Sequence, residues 1–271
     1  QNGLGDPMDT LISIVAPFRN EEACLAEFYR AVRDVLAGIP AEYEFIFVDD
    51  GSSDRSVEIV VGLRRGDPRV RLLSFSRNFG HQVAIKAGID HARGDAIVVM
   101  DTDLQDPPSA IPDLVAKWRE GYDVVYAVRA KREGEGAFKR LTAACYYRLF
   151  RKLAEVDIPL DTGDFRLISK RVADVMRQVR EKSPYIRGLI SWVGFAQTGI
   201  SIERSGRFAG RTKYSVRRML RLAWNGVTHF SFLPLQLATY LGAAAFLVSL
   251  AGVAAALYAR FGLHRAPSDR L

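Results

Sequence analysis

Runs of apolar and β-branched residues at 11–16, 43–48, 70–75, 96–100 and 124–128 alternate with segments whose apolar positions recur at helical spacing. The runs predict buried strands and the segments between them predict helices. Pro17 closes the first run. Asn20 then offers a cap for a helix with Glu21 and Glu22 in its first turn and Leu25, Phe28, Tyr29, Val32, Val35 and Leu36 on its apolar face. The second run ends in Asp49-Asp50-Gly51-Ser52-Ser53-Asp54, both a turn and a helix start. Further helices are predicted over 80–91 and 111–119. Strand and helix alternating at short spacing specify an α/β fold, a mostly parallel, Rossmann-like sheet with helices on both faces. Ligands of such sheets sit beyond the carboxyl ends of the strands. Glu21, Asp49, Asp50, Asp101 and Asp103 all fall there.

Beyond residue 128 the pattern changes. A charged, glycine-containing loop is predicted at 129–136, a helix at 137–153, a polar turn at 161–166, a helix at 169–179 and a strand at 195–203. From residue 216 onward Met219, Leu220, Ala223 and Val227 share one face, while Arg217, Arg218, Arg221 and Asn225 lie elsewhere. That spacing reads as an interfacial amphipathic helix with Trp224 and Phe230 at headgroup level, or as a helix packed on the core with a solvated basic face. Residues 235–259 carry no charge, and 25 residues span a hydrocarbon layer of ~30 Å with some tilt. Their alanine and glycine content suits packing on another such helix, so association between copies is expected there. The expected divisions are a flexible segment at 1–10 within which the native start is expected at Met8, a globular body at 11–210, an interfacial helix at 211–232, a transmembrane helix at 233–260 and a tail at 261–271.

Charge sharpens this division. The net charge of +7 is not evenly spread: residues 1–203 hold 28 Lys/Arg against 30 Asp/Glu, and residues 204–268 hold nine Lys/Arg and no acid. A basic segment leading into an uncharged apolar one points to an anionic membrane surface rather than to nucleic acid. It also places the body on the cytoplasmic side of the inner membrane, with Arg260 and Arg265 counting the other way. The two cysteines, Cys24 and Cys145, form neither a metal spacing nor a disulfide framework, which fits a reducing compartment.

The fourth apolar run stops at Asp101-Thr102-Asp103-Leu104-Gln105-Asp106-Pro107-Pro108. Residues two apart in extended geometry point the same way, so Asp101 and Asp103 make a hard-oxygen pair suited to Mg²⁺ or Mn²⁺, with Gln105 as a neutral oxygen. The same residues also read as a polar strand-to-helix turn in which Asp106 caps a helix beginning at Pro107. Spacing alone leaves both readings open.

Taken as an ordered set, the motifs resemble a known family. Pro17-Phe18-Arg19-Asn20-Glu21, Val48-Asp49-Asp50-Gly51-Ser52, the Asp101-Thr102-Asp103-Leu104-Gln105 stretch and the basic loop from Arg207 to Lys213 are similar to inverting family-2 glycosyltransferases of the GT-A fold. Ser76-Arg77-Asn78-Phe79-Gly80 and Thr162-Gly163-Asp164-Phe165-Arg166-Leu167 narrow the resemblance to polyisoprenyl-phosphate glycosyltransferases of the GtrB type, related to dolichol-phosphate mannose synthases. Arg19 departs from the neutral residue usual there, and the Gln-x-x-Arg-Trp motif of processive synthases is absent.

The resemblance implies a nucleotide-sugar donor, with a UDP-sugar favoured over GDP-mannose, and an undecaprenyl (polyprenyl) phosphate acceptor. Pro17, Arg19, Glu21, Val48, Asp49 and Asp50 would line the nucleotide pocket, with Arg77, Asn78 and Lys86 added to the substrate-binding set. Asp101, Asp103 and Gln105 would hold the divalent cation. Arg129, Arg207 and Lys213, helped by Lys139 and Arg140, would hold the acceptor phosphate, and Asp164 would serve with Asp103 as a catalytic carboxylate, as base or as orienting group. A membrane-tethered nucleotide-sugar-binding protein without catalysis is the alternative, against which the intact Asp101/Asp103 pair speaks. A dinucleotide oxidoreductase would need a Gly-x-Gly-x-x-Gly loop after the first strand, and Pro17 to Glu22 contains no glycine.

Overall fold

A computed structural model describes residues 10–129, 162–181, 184–203 and 233–261. In chain order the elements are β1 (Leu11–Phe18), α1 (Leu25–Leu36), β2 (Glu42–Asp49), α2 (Ser56–Gly66), β3 (Val70–Ser74), α3 (His81–His91), β4 (Ala96–Val99), α4 (Ile111–Arg119), β5 (Val124–Arg129), β6 (Thr162–Ser169), α5 (Lys170–Gln178), α6 (Ile186–Trp192), β7 (Gln197–Ile202) and α7 (Leu233–Phe261), with a short 3₁₀ turn at Pro108–Ala110 before α4. Among the described residues the strands form one seven-stranded sheet in the order β3-β2-β1-β4-β6-β5-β7. β1, β2, β3 and β4 are mutually parallel, β7 is parallel to β5, and β6 runs antiparallel to both its neighbours. The order reverses between β1 and β4, and a sheet of this kind opens a crevice at that switch point.

Two apolar layers sandwich the sheet. One packs Phe28, Ile111, Leu114 and Trp118 of α1 and α4 on Ile14, Phe45, Phe47 and Val125; the other packs Ile85, Ile89, Val172, Met176 and Ile190 of α3, α5 and α6 on Val15, Ile46, Val99 and Ile168. Residues 14 and 15 therefore face opposite layers, as the two-residue period of a strand requires. Gly88 lets α3 approach β1 closely, since a Cβ there would stand 2.2 Å from Val15 Cγ1.

The sequence reading is corrected at three places. Pro17 does not end β1, which pairs with β2 through Phe18↔Asp49. Val15 O accepts from Met100 N toward β4, so Pro17, two residues on, turns its missing N–H to the same side, beyond the last β1–β4 pair at Val15↔Val99. No ladder bond is lost. Asn20 does not cap α1, which starts only at Leu25; it sits at φ +53° and its Oδ1 accepts instead from Ser53 N at 2.7 Å. The stretch at 161–166 is a strand for most of its length: β6 is buried from Gly163 through Ser169 although it carries Asp164 and Arg166.

α7 is one helix, and 24 of its residues, Ala238–Phe261, are long and apolar enough to cross a membrane; none of that window is buried. The expected helices at 137–153 and 213–232 lie outside the described residues.

Two stability predictions follow from the packing. Gly88→Ala should lower unfolding stability by about 1–3 kcal/mol through overpacking against Val15, read as a shifted urea midpoint at unchanged slope. Asp67, 6 % exposed, accepts from Arg69 Nε and Nη2 (2.9 and 3.0 Å), and with the Tyr29 hydroxyl (2.7 Å) these outweigh burial and hold its carboxyl at about 2. The folded value lies below the unfolded one, so this stabilisation is complete above about pH 4 and is lost as pH falls toward about 2. The stability gap between wild type and Asp67→Asn, about 2 kcal/mol at neutral pH, should therefore close across that window in urea titrations.

Candidate active site

The polar side chains gather at the carboxyl edge of the sheet, and the loops there are tied to one another. Asn20 N donates to Ser52 Oγ (3.0 Å), Glu21 N to Ser56 Oγ (2.9 Å) and Arg55 N to Glu22 Oε2 (3.1 Å), joining the loop after β1 to the loop after β2. Asp49 accepts from Ser52 N and Ser74 Oγ, both at 2.8 Å. Asp50 accepts from Phe79 N (2.7 Å), Gly80 N (3.0 Å) and the Asn78 amide. Gly51, at φ +68°, passes so close beneath that a Cβ would stand 2.6 Å from the Arg77 carbonyl carbon. Together these contacts fix where α3 begins, and the first residue of α3 is His81.

Asp101 follows β4 at the switch-point crevice. Its Oδ1 is buried without a hydrogen-bond donor, while the side chain as a whole remains 30 % exposed, so the rest of the carboxylate faces the opening. The turn continues through Leu104 at φ +55°, a conformation that costs an L residue about 1–2 kcal/mol, with Gln105 N donating to Asp103 Oδ1 at 3.1 Å. Leu104 packs on the core, which holds the turn in that form. Burial pushes the Asp101 carboxyl up to about 6, with Asp164, Asp103 and Asp106 adding to the rise and His81 opposing it.

Facing Asp101 is a group that the sequence reading assembled only in part. Asp164 on β6 accepts from Arg187 Nε at 2.8 Å and from Gln82 Nε2 at 3.4 Å. His81 Nε2 lies 3.2 Å from Asp164 Oδ2 and 3.4 Å from Asp101 Oδ1. Burial works against the charge on Asp164, yet the Arg187 guanidinium and the bonds from His81 and Arg187 hold its carboxyl well below the usual range. For His81 burial likewise opposes charge, and Asp101 and Asp164 outweigh it, raising the imidazole to about 9. Arg166, buried beside them, donates to Gly163 O at 2.7 Å, and burial lowers its guanidinium to about 10.

The structure sorts the expected site residues. Asp101, Asp103 and Gln105 share one turn, and His81 brings Asp164 beside Asp101. Pro17 and Val48 are buried in β1 and β2, Val48 within the core, so only their backbone faces the edge. Asp49 and Asp50 stand at the right edge but are 2 % and 5 % exposed and engaged by the protein's own donors. Arg19 is exposed and Glu21 half-buried on the loop after β1. Arg77 is exposed with its guanidinium over the Phe79 ring at 4.0 Å. Lys86 pairs with Asp90 at 2.6 Å, about 140° around α3 from His81, and takes no part in the cluster. The Arg129 side chain, Lys139, Arg140, Arg207 and Lys213 lie outside the described residues.

His81, Gln82 and Arg187 were missed by the sequence reading. A histidine following Gly80, at a helix start on the ligand edge, was a readable signal; Arg187 carried none. A cleft of ≈ 570 Å³ opens at the opposite, amino edge of the sheet. Two of its three arginines are committed to structure, Arg69 to Asp67 and Arg71 to Glu44.

As a cation site the turn fits. A buried carboxylate oxygen has no hydrogen-bond donor, further acids stand near it beside His81, and the donor set is hard oxygen. Among the described residues no three His, Cys, Asp or Glu side chains form a complete metal cage. A hard divalent cation such as Mg²⁺ needs only one or two carboxylates and fills its shell with substrate phosphates and water.

Comparison with known proteins places this geometry. Residues 13–176 match Glycosyl transferase family 2. The chain is 53 % identical over 230 residues to the uncharacterized glycosyltransferase YkcC of Bacillus subtilis, covering 85 % of the chain and 71 % of that protein. It is 41 % identical over 231 residues to the bactoprenol glucosyl transferase of Shigella phage SfV, covering 85 % and 75 %. Among solved structures it resembles glucosyl-3-phosphoglycerate synthase from Mycobacterium tuberculosis, in complex with Mn²⁺, UDP-glucose and phosphoglyceric acid, at a TM-score of 0.52 and 20 % identity, covering 80 % of the chain and 78 % of that one. The likeness in fold is to the GT-A arrangement.

Asp50→Ala should unfasten the segment 78–80 and the start of α3. We expect a loss of about 3 kcal/mol, since several donors to one buried carboxylate are orphaned together, measured as a lowered calorimetric melting temperature.

Proposed function

The chain belongs to glycosyl transferase family 2 and is a glycosyltransferase, and from that premise we propose that it transfers a sugar from a nucleotide diphosphate sugar, a UDP-sugar being favoured, to a polyprenyl phosphate at the cytoplasmic face of a membrane. The observation that carries this reading is the buried oxygen of Asp101 at the β1/β4 crevice, which has no hydrogen-bond donor and faces the Asp164–His81–Arg187 cluster. A cation-seeking carboxylate on one side and a compensated one on the other suit a reaction between two anionic substrates. The 41 % identical bactoprenol glucosyl transferase and the apolar helix α7 support a lipid acceptor.

Asp101 and Asp103, with Gln105 beside them, would hold a divalent cation, which when bound supplies Lewis-acid compensation for the charge of the departing nucleoside diphosphate. The chain's own residues do the rest. A phosphate monoester is largely dianionic at neutral pH, its second pKa being ~6, so the acceptor needs placement more than deprotonation. Asp164 is accordingly an orienting group: a carboxylate held well below its usual range is a poor proton acceptor. A phosphate oxygen of the acceptor forms the new bond to the anomeric carbon as the bond to the diphosphate oxygen breaks, and one in-line displacement inverts the centre. Arg129, Arg207, Lys213, Lys139 and Arg140 are the proposed cationic contacts for the acceptor. The lipid tail leaves a bilayer only at ~0.8 kcal/mol per CH₂, so α7 brings the enzyme to its substrate.

The test is transfer in reconstituted membranes supplied with undecaprenyl phosphate, a panel of nucleotide sugars and Mn²⁺ or Mg²⁺, the glycolipid being identified by mass. Asp101→Ala and Asp103→Ala should each lower turnover by about 10³-fold, as should chelation of the cation in wild type. Unchanged turnover in the aspartate variants would refute the cation site.

A further inference from the structure

The side chain of His81 stands between the two halves of the site. Its Nε2 carries at most one hydrogen, and two carboxylate oxygens reach for it: Asp164 Oδ2 at 3.2 Å and Asp101 Oδ1 at 3.4 Å. The geometry satisfies the first as a hydrogen bond and leaves the second, Asp101 Oδ1, buried without a donor. Arg187 also acts on Asp101 electrostatically, but among the described contacts only those of His81 touch both carboxylates. Asp164 is fixed from its other oxygen, Oδ1, by Arg187, while Gln82 shares Oδ2 with His81 and is itself held by accepting from Ile186 N at 3.1 Å. Asp101, in contrast, belongs to the half-exposed turn after β4 that would take up the cation and diphosphate.

We propose that His81 is a positioning residue that couples occupancy of the donor half to binding in the acceptor half, by sharing one N–H between Asp101 and Asp164. This rests on the functional reading above. While the donor half is empty, the imidazole donates to Asp164 and is pulled at the same time toward the unbonded Oδ1 of Asp101. A donor and cation engaging Asp101 would remove that pull, and Asp164 and the Arg187 guanidinium it anchors would then be held in the position the acceptor meets. The coupling is thermodynamic and runs both ways: whatever the donor does for acceptor affinity, the acceptor does for donor affinity. It requires neither a moving loop nor a change in the protonation of any group, only a single hydrogen with two claimants.

The residues flanking His81 are suited to this task. Gly80, at φ +109° and held by Asp50, fixes the first turn of α3 and with it the point from which the imidazole projects. The side chain is 37 % exposed, so its removal leaves no cavity in either apolar layer. Glutamine carries its Nε2 the same number of bonds from the backbone as histidine does, and donates a hydrogen from it; alanine donates none.

The experiment uses the full chain in detergent micelles. Calorimetric titration measures the affinity for UDP with Mn²⁺, alone and in saturating geranyl phosphate, a short-chain isoprenyl phosphate. Wild type should bind UDP–Mn²⁺ at least about 5-fold more tightly with the phosphate present. His81→Ala should bind each ligand separately but show a ratio near one, and His81→Gln should recover most of the wild-type ratio. Sugar transfer by the same preparations gives the second readout: in His81→Ala the KM for acceptor at saturating donor and the KM for donor at saturating acceptor should both rise, by similar factors. A wild-type ratio retained in His81→Ala, or a wild-type ratio of one, would overturn the coupling while leaving the functional reading intact wherever wild type still makes glycolipid. A wild type that binds no UDP–Mn²⁺ and makes no glycolipid overturns both.

Discussion

Asp164 is a carboxylate 8 % exposed in the middle strand of a three-strand antiparallel patch, and a buried charge of that kind persists only when it is compensated. The compensation comes from two helices on one face of the sheet. Arg187 arrives from α6 and His81 from α3, so the ends of both helices are fixed by a charge on the strand beneath them. Apolar packing of Ile85, Ile186 and Ile190 brings the helices close; the ion pairs determine which ends meet. The crevice beside β4 thereby acquires one wall whose electrostatics are already balanced and another, at Asp101, whose electrostatics are not.

The acids at the carboxyl edge are consequently of two kinds. Asp49 and Asp50 are saturated by Ser52, Ser74, Phe79, Gly80 and Asn78, and they hold the edge together. Asp101 has a buried oxygen with no such donor. Residue type and position along the chain are alike in these cases, and only the surrounding donors separate a fastening from a site. The left-handed Leu104 marks the same boundary, because strain of that kind persists where the surrounding packing imposes it.

Much of the fold was legible because it depends on local periodicity. β2, β3, β4 and β5 are apolar runs between turns, and α3, α4 and α5 carry apolar positions at helical spacing, so their positions agree with the reading to within a residue or two. β6 was read as a polar turn because Asp164 is compensated by partners far away in sequence, and a hydrophobicity pattern cannot register a distant partner. Asn20 misled for a related reason: its side chain caps a backbone N–H, but one 33 residues onward rather than in its own helix. In the site, Asp101 and Asp103 stood out by spacing, and Asp164 by family resemblance. Lys86 looked available until Asp90, one helical turn away, took it. Arg187 lies in a segment without periodic signal, and its importance exists only through the fold.

The helix α7 shows apolar side chains outward along its length, from Leu235 to Phe261. Anchored by such a helix, a catalyst and a lipid substrate share a surface, and they meet by lateral diffusion in two dimensions. The quantity that governs turnover is then the number of acceptor molecules per area of membrane rather than their number per volume of cell. At saturating nucleotide sugar, dilution of the surrounding solution would leave the rate untouched, whereas expansion of the bilayer at constant acceptor would slow it.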